Sequence, residues 1–166
     1  MQDREDWFAP LAEQDLDAAA EIERLSFSSP WSRTSFAEAI AQPNLCYFVG
    51  AHRKDGVLVG CAGMHIICGE CYIDTVAVHP DWRGNGIGRG LLGALIRYAK
   101  AQNADFLTLE VRLSNEIAKR LYQAMGFEKA GVRRDFYENP KEDAVIYTRF
   151  LTAEEKGETE PENIGN

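Results

Sequence analysis

The sequence predicts a single-domain α/β (α+β) fold, with a mixed but mostly antiparallel sheet of about seven strands and four helices. Three observations lead to this prediction. The length of 166 residues and the 45% share of hydrophobic residues suit one domain with one buried core. Three consecutive segments in the first half show the alternation and turn residues of a strand meander. The second half then continues as strand, helix and strand.

The first half begins with a short strand and two helices. An apolar segment at residues 7–11 predicts the strand. After Asp15, apolar residues recur at helical spacing as far as Leu25. A second short helix is predicted from Ser32, a residue type that caps helices, to Ile40. Three antiparallel strands are then predicted at residues 45–53, 57–67 and 71–78.

The second half is predicted to contain a βαβ unit. Apolar residues three and four apart indicate a helix over residues 87–103, and residues 106–112 form the next strand. Such a unit should be parallel with a right-handed crossover, which makes the sheet mixed. Another helix is predicted from Asn115 to a stop at Gly126, with Ile117 pointing inward. The two closing strands are predicted at residues 127–132 and 144–151.

The charge balance excludes some classes of partner. Asp and Glu number 26 against 18 Lys and Arg, which gives a formal net charge of -8 and disfavours a nucleic-acid partner. No apolar stretch reaches the roughly 20 residues that span a bilayer, and no apolar leader opens the chain, so we expect a cytoplasmic protein without a membrane partner. Residues 152–166 are acidic and almost without apolar residues, which predicts a folded domain at 1–151 followed by a disordered tail. The oligomeric state is left open.

The cysteines are predicted to have no catalytic or metal-binding role. We expect all four to be reduced and mostly buried: Cys46, Cys61, Cys68 and Cys71. A Cys-x-x-Cys pair with His65 and His79 would supply four zinc ligands. The pair flanks a predicted hairpin turn, however, and the histidines lie on separate strand ends, so we predict no metal site. No cysteine lies beside a histidine in a motif that could activate it.

A glycine-rich loop joins the third meander strand to the long helix. Its four glycines lie between Arg83 and Leu91, where the first helical N–H groups lack intrahelical partners and can meet an anion. A Rossmann fingerprint starting at Gly84 would need glycine at the position of Arg89, and the Gly-Lys-Ser/Thr of a Walker loop is absent. The loop is therefore predicted to bind phosphate in another way. The alternative is a turn that serves only helix–sheet packing.

A polar pair follows this loop in the second half. Glu110 lies on the polar face of its predicted strand, together with Thr108 and Arg112. On the next helix Asn115 and Tyr122 are seven residues apart, which is two turns along one face. The polar groups of the strand and the helix can therefore meet in one cleft. The alternative is that the glutamate is solvated or ion-paired and that the tyrosine belongs to the core.

Two motifs resemble one known family. The run Arg83-x-x-Gly86-x-Gly88, after the strand end at residues 76–80, resembles the acetyl-CoA signature of the GNAT N-acetyltransferase superfamily. The segment LEVRxSNxxAxxLYxxxGF at residues 109–127 resembles the RimI-like subfamily, which acetylates the N-terminal alanine of a small-subunit ribosomal protein. The resemblance spans nearly the whole chain in order, and it implies the GNAT fold.

The resemblance also implies a cosubstrate and a set of site residues. Acetyl-CoA is the implied donor, Glu110 the base and Tyr122 the acid, and no metal takes part. The implied cofactor-binding residues are Val76, Ala77, Val78, Arg83, Gly84, Asn85, Gly86, Ile87, Gly88, Arg89 and Asn115. The resemblance places the acceptor, the N-terminal peptide of a ribosomal protein, between the loops at residues 27–31 and 133–139. The residues that it is implied to contact are Phe27, Pro30, Trp31, Tyr72 and Tyr137.

These implied roles agree with the chemistry of acetyl transfer. An α-ammonium group, with a pKa of about 7.7–8.0, has no lone pair until a base such as Glu110 removes a proton, here through a water. The leaving thiolate can take a proton from the phenol of Tyr122, and backbone N–H groups of residues 76–78 can meet the oxyanion. No covalent enzyme intermediate is needed. Two alternatives stay open: acetylation of a small amine or a lysine side chain, and a CoA-binding module without catalysis.

Overall fold

The computed structural model describes residues 5–156, and within this range it contains the seven strands and four helices that the sequence predicts. The mixed α/β class is confirmed. The strands are β1 (Phe8–Pro10), β2 (Cys46–His52), β3 (Leu58–Ile67), β4 (Glu70–Val78), β5 (Phe106–Arg112), β6 (Glu128–Tyr137) and β7 (Glu142–Phe150). The helices are α1 (Leu16–Ser26), α2 (Arg33–Ile40), α3 (Ile87–Ala101) and α4 (Glu116–Ala124).

The sheet has the strand order β1-β2-β3-β4-β5-β7-β6. Only β4 and β5 are parallel, as expected for the two strands that flank α3 in a βαβ unit. Their pairing starts at Glu70 with Phe106 and ends at Tyr72 with Thr108. Both strands continue well beyond this point, so they separate and leave a gap in the middle of the sheet.

Strand β4 carries a bulge where this separation begins. On β3, Gly63 pairs with Thr75 and the next residue, Met64, pairs with Ile73. Asp74 is therefore the extra residue of the bulge, and a bulge locally bends its strand and changes the direction of the side chains. The bend lies beside the gap between β4 and β5.

Helices cover both faces of the sheet. The core on the α3 and α4 side contains the predicted apolar stripe of α3, including Ile87, Leu91 and Leu95, all at most 2% exposed. The core on the α1 and α2 side contains Leu16 and Phe36. Burial of each of these large side chains contributes about 1.5–3 kcal/mol, so both layers fix the sheet between them.

Two details of the second half differ from the prediction. Ile117 is 84% exposed, because α4 turns Ala118, Leu121 and Tyr122 towards the core instead. The prediction was therefore wrong for Ile117, whereas Leu121 and Met125, which were also predicted to point inward, pack against the core. Strand β6 extends beyond the predicted residues 127–132, because its irregular pairing with β7 continues as far as Tyr137.

The first residues of the predicted tail are attached to the domain. The segment from Thr152 to Lys156 forms a turn, in which Glu155 binds Arg149 at 2.7 Å and Lys156 binds Asp105 at 2.9 Å. These five residues were expected to be disordered but are ordered, because the charged side chains of Glu155 and Lys156 form ion pairs with the domain. The rest of the predicted tail, residues 157–166, lies outside the described residues. None of the helices in the described part of the chain is long and apolar enough to cross a bilayer.

Candidate active site

A cavity of about 480 Å³ opens where β4 and β5 separate. Residues 73–76 of β4 and 109–112 of β5 form two of its walls, and the loops at 26–29 and 137–140 contribute to the others. The structure does not bring Pro30 or Tyr72 to these walls; Tyr72 instead donates to Glu70 and packs against Phe106. The predicted site residues on the walls are Phe27, Trp31, Val76, Glu110, Asn115, Tyr122 and Tyr137.

Glu110 lies at the wall formed by β5, and its side chain is 31% exposed. Its carboxylate is 3.2 Å from the guanidinium of Arg133 on β6. Arg112, two residues along the same strand, binds Glu142 at 3.2 Å and the carbonyl of Pro140 at 2.8 Å. The carboxylate of Glu110 therefore lies at the cavity with one cationic neighbour, which comes from a strand that is distant in sequence.

Tyr122 reaches the same cavity from α4 and is 8% exposed. Its ring packs 5.9 Å from that of Phe127 and 6.4 Å from that of Tyr147. Burial raises the pKa of Tyr122, and the neighbouring Tyr137 raises it further. The phenol is therefore protonated at neutral pH, as a proton donor must be, although its tendency to release the proton is weaker than that of an exposed tyrosine.

The edge of β4 that faces the gap offers backbone donors. The N–H of His79 donates to the carbonyl of Val59 at 2.8 Å, towards β3. Because N–H directions alternate along an antiparallel strand, the N–H groups of Val76 and Val78 point to the opposite edge, where β5 has separated. The carbonyl of Val78 accepts from Arg83 Nε at 3.1 Å at this edge. The side chain of Ala77 is buried, and by the same alternation its N–H points towards β3, so Ala77 offers no donor at the gap.

The glycine loop leaves the N-terminus of α3 open. Gly84 and Gly86 have φ angles of 80° and 77°, and a Cβ atom on either would meet no atom within 4 Å. Gly86 is the N-cap of α3, so the N–H groups of the first helical turn have no intrahelical partners. An anion can approach them directly. Gly90 differs, because its Cβ would lie 2.0 Å from Phe8, and it therefore serves close packing.

The side chains of the loop mainly hold its shape. Arg83 donates to Val78 and also to Ser26 Oγ at 3.2 Å, and Asn85 donates to the carbonyls of Trp82 and Arg83 at 3.0 and 3.2 Å. The remaining predicted loop residues lie at the start of α3: Ile87 is buried, Gly88 is half-buried and Arg89 is exposed.

Asn115 has a structural role in addition to its place on the cavity wall. It caps α4, since its Oδ1 accepts from the N–H of Ala118 at 3.1 Å. A cap of this kind satisfies one of the N–H groups at the start of a helix. The side chain of Asn115 is therefore held in a fixed direction at the cavity.

Two cavity carboxylates were not predicted from the sequence. Glu23 on α1 is 1% exposed and accepts hydrogen bonds from the hydroxyl of Thr75 and, at 3.3 Å, from the N–H of Trp31. Burial raises the pKa of Glu23, and the Thr75 hydrogen bond partly opposes this shift. Asp74 is paired with His65, and burial raises its pKa as well. Glu23 could have been recognised from the sequence, because it is a charged residue at a position of the apolar stripe of α1.

The cysteines are distributed largely as expected. Cys46, Cys61 and Cys71 are buried and only Cys68 is exposed. Burial raises the pKa of Cys71 to about 11 and shifts that of Cys61 further in the same direction. Thiols of this kind are poor nucleophiles at neutral pH. Among the described residues, no group of three or more His, Cys, Asp or Glu side chains is arranged to hold a metal ion.

The fold and the site together define an acyltransferase. The model of the Acetyltransferase (GNAT) family matches residues 16–127, and the chain therefore belongs to the GNAT acetyltransferase family. This match includes the glycine loop, β5 and α4. Members of this family use acetyl-CoA, which agrees with an open anion site at the start of α3.

Relatives and a solved structure resemble most of the chain. The [ribosomal protein bS18]-alanine N-acetyltransferase of Escherichia coli K12 is 34% identical over 138 residues, which cover 82% of this chain and 91% of that protein. The N-alpha-acetyltransferase RimI of Mycobacterium tuberculosis is 35% identical over 145 residues, covering 84% and 89% respectively. The crystal structure of the ribosomal-protein-S18-alanine N-acetyltransferase from Escherichia coli matches with a TM-score of 0.79 and 31% identity, covering 87% of this chain and 93% of that one.

Proposed function

We propose that this chain transfers the acetyl group of acetyl-CoA to the N-terminal alanine of a small-subunit ribosomal protein. The observation that carries the proposal is the meeting of Glu110 and Tyr122 in one cavity, beside the unpaired edge of β4. The name of the similar Escherichia coli enzyme supports the choice of a ribosomal-protein alanine, and that of the Mycobacterium tuberculosis enzyme supports the α-amino group. A carboxylate, a phenol and free backbone N–H groups are the groups that direct acetyl transfer to an amine needs.

The donor is proposed to bind along β4 and the glycine loop. Acetyl-CoA supplies the acetyl group as a thioester. The N–H groups at the start of α3 would bind the pyrophosphate, and the openness of Gly84 and Gly86 supports this role. The N–H groups of Val76 and Val78 would stabilise negative charge on the acetyl oxygen during transfer. Asn115 is proposed to contact the same donor.

The acceptor is proposed to enter between the loops at residues 26–29 and 137–140. Glu110 would take a proton from the α-ammonium group through a water, so that the amine can attack the thioester carbonyl. Tyr122 would give its proton to the sulfur as the C–S bond breaks. Glu23 and Asp74 add acidic groups to the walls, which favours a cationic acceptor.

The acceptor class is tested with three amines. We expect the chain and acetyl-CoA to acetylate the α-amino group of an Ala-Arg-initiated peptide, which mass spectrometry of the products locates. The peptide contains an internal lysine, and the same peptide with a blocked N-terminus serves as the control. A polyamine is the third amine. Turnover only on lysine or the polyamine would contradict the N-terminal assignment, and no turnover on any amine would favour a CoA-binding module.

The glycine loop is tested by Gly86→Val. We expect this change to weaken CoA binding about tenfold or more, which is about 1.4 kcal/mol, because the side chain would occupy the open space at the start of α3. The matched control is Gly56→Val, since Gly56 also has a positive φ of 88° and open surroundings but lies in the β2–β3 turn. Calorimetric titration with CoA measures both. Equal affinities of the two variants would show that the loop does not hold the pyrophosphate.

A further inference from the structure

We infer that Glu23 is a positioning residue that ties the acceptor loop, residues 26–31, to the strand edge that receives the acetyl oxygen. The inference rests on the proposed function of the cavity. Glu23 is neither the proposed base nor the proposed acid, yet it lies on the cavity wall. Its two hydrogen bonds run to the two parts of the site that must keep a fixed distance from each other.

The contacts of Glu23 connect three elements. From α1, its carboxylate accepts from the hydroxyl of Thr75 on β4 and from the N–H of Trp31. Thr75 directly precedes Val76, the first residue with an N–H group at the unpaired edge, and follows the bulge at Asp74. Trp31 ends the acceptor loop, and its ring packs 5.1 Å from that of Phe48 in the core.

The burial of this carboxylate is difficult to explain by stability alone. Its neighbours on the buried face of α1 are Leu16, Ala19 and Ile22, and an apolar residue at position 23 would avoid the desolvation of a carboxylate. One carboxylate oxygen accepts from the Thr75 hydroxyl and the other from the Trp31 N–H, and an apolar side chain could accept from neither. The carboxylate of Glu23 therefore serves the geometry of the site more than the stability of the core.

The acceptor loop has few other attachments to the sheet. Arg83 donates to Ser26 at its start, and Arg112 Nη2 donates to Ser28 at 3.2 Å. The bond from Trp31 to Glu23 fixes its end. Without Glu23, the loop and the bulge can move apart, and the acceptor amine and the acetyl carbonyl lose their alignment. Displacements of about 1 Å can lower a rate by 10²-fold.

The kinetic test compares Glu23→Leu and Glu23→Ala, which remove both hydrogen bonds, with a matched buried carboxylate. Asp15 is 5% exposed and accepts from the N–H of Ala12 at 2.9 Å, but it lies outside the cavity, so Asp15→Asn is the control. We expect both Glu23 variants to raise the KM for the peptide and to lower kcat, with a combined loss of about tenfold or more in kcat/KM. The Kd of CoA should change little. Asp15→Asn should leave these constants unchanged.

Thr75 provides a second test of the same contact. Thr75→Val removes the hydroxyl donor while nearly keeping the side-chain shape, so we expect it to reproduce the kinetic loss of Glu23→Leu. Thr75→Ser keeps the hydroxyl and should retain activity close to that of the wild type. Activity of Thr75→Val equal to that of Thr75→Ser would show that this hydrogen bond has no positioning role.

A readout without turnover separates this inference from the proposed function. We expect amide hydrogen exchange in residues 26–31 and 75–78 to be faster in Glu23→Leu, whose side chain can make neither hydrogen bond, than in Asp15→Asn or the wild type. Unchanged exchange in a folded Glu23→Leu protein would overturn the inference, whatever its activity. Failure of the wild type to acetylate the peptide would instead contradict the proposed function, and the exchange result would still decide the role of Glu23.

Discussion

Glu110→Gln is expected to lower kcat by about 10²-fold or more, while the Kd of CoA changes little. The amide keeps the size and polarity of the side chain but cannot take a proton from the acceptor ammonium. Steady-state rates with the peptide and titration with CoA measure the two effects. The loss should diminish at high pH, where the amine is already deprotonated in solution.

Two controls separate the base from its ion pair. Arg133→Gln breaks the 3.2 Å contact with Glu110 but leaves the carboxylate in place, so we expect only a small loss of kcat. Glu128→Gln changes an exposed glutamate of β6 outside the cavity and should have no effect. A loss in Arg133→Gln as large as that in Glu110→Gln would assign the effect to the ion pair and contradict the role of Glu110 as base.

Tyr122→Phe is expected to lower kcat by a similar factor of about 10²-fold. The ring remains and keeps its packing against Phe127, but the proton for the leaving sulfur is missing. The stability of the variant should stay close to that of the wild type, because the hydroxyl of Tyr122 has no hydrogen bond to any residue within 5–156. Single-turnover rates and thermal unfolding measure these two properties.

The matched control for this prediction is Tyr147→Phe. Tyr147 is 3% exposed and its ring lies 6.4 Å from that of Tyr122, but its hydroxyl accepts from Gln123 at 3.2 Å and does not line the cavity. We expect this variant to lose some stability and no activity. A Tyr122→Phe enzyme with more than about half of the wild-type kcat would exclude the phenol as the essential acid.

Most of the secondary structure was predictable because its causes are local. The apolar spacing of α3, the capping hydroxyl of Ser32 and the stop at Gly126 each act over a few residues, and each is present in the structure. The prediction was wrong where contacts with other parts of the domain determine the structure. Ile117 faces solvent because the packing of α4 favours Tyr122, and the turn at residues 152–156 is ordered by charges elsewhere on the domain.

Local patterns along the chain were enough to specify the α/β class, the βαβ unit and the glycine loop, since these follow from periodicity and from residues that tolerate positive φ. The same patterns indicated Glu110 and Tyr122 as candidates. Folding added the separation of β4 from β5, the approach of Arg133 to Glu110, and the connection from Glu23 to a strand 52 residues away. These contacts join segments that are distant along the chain, so no local pattern could specify them.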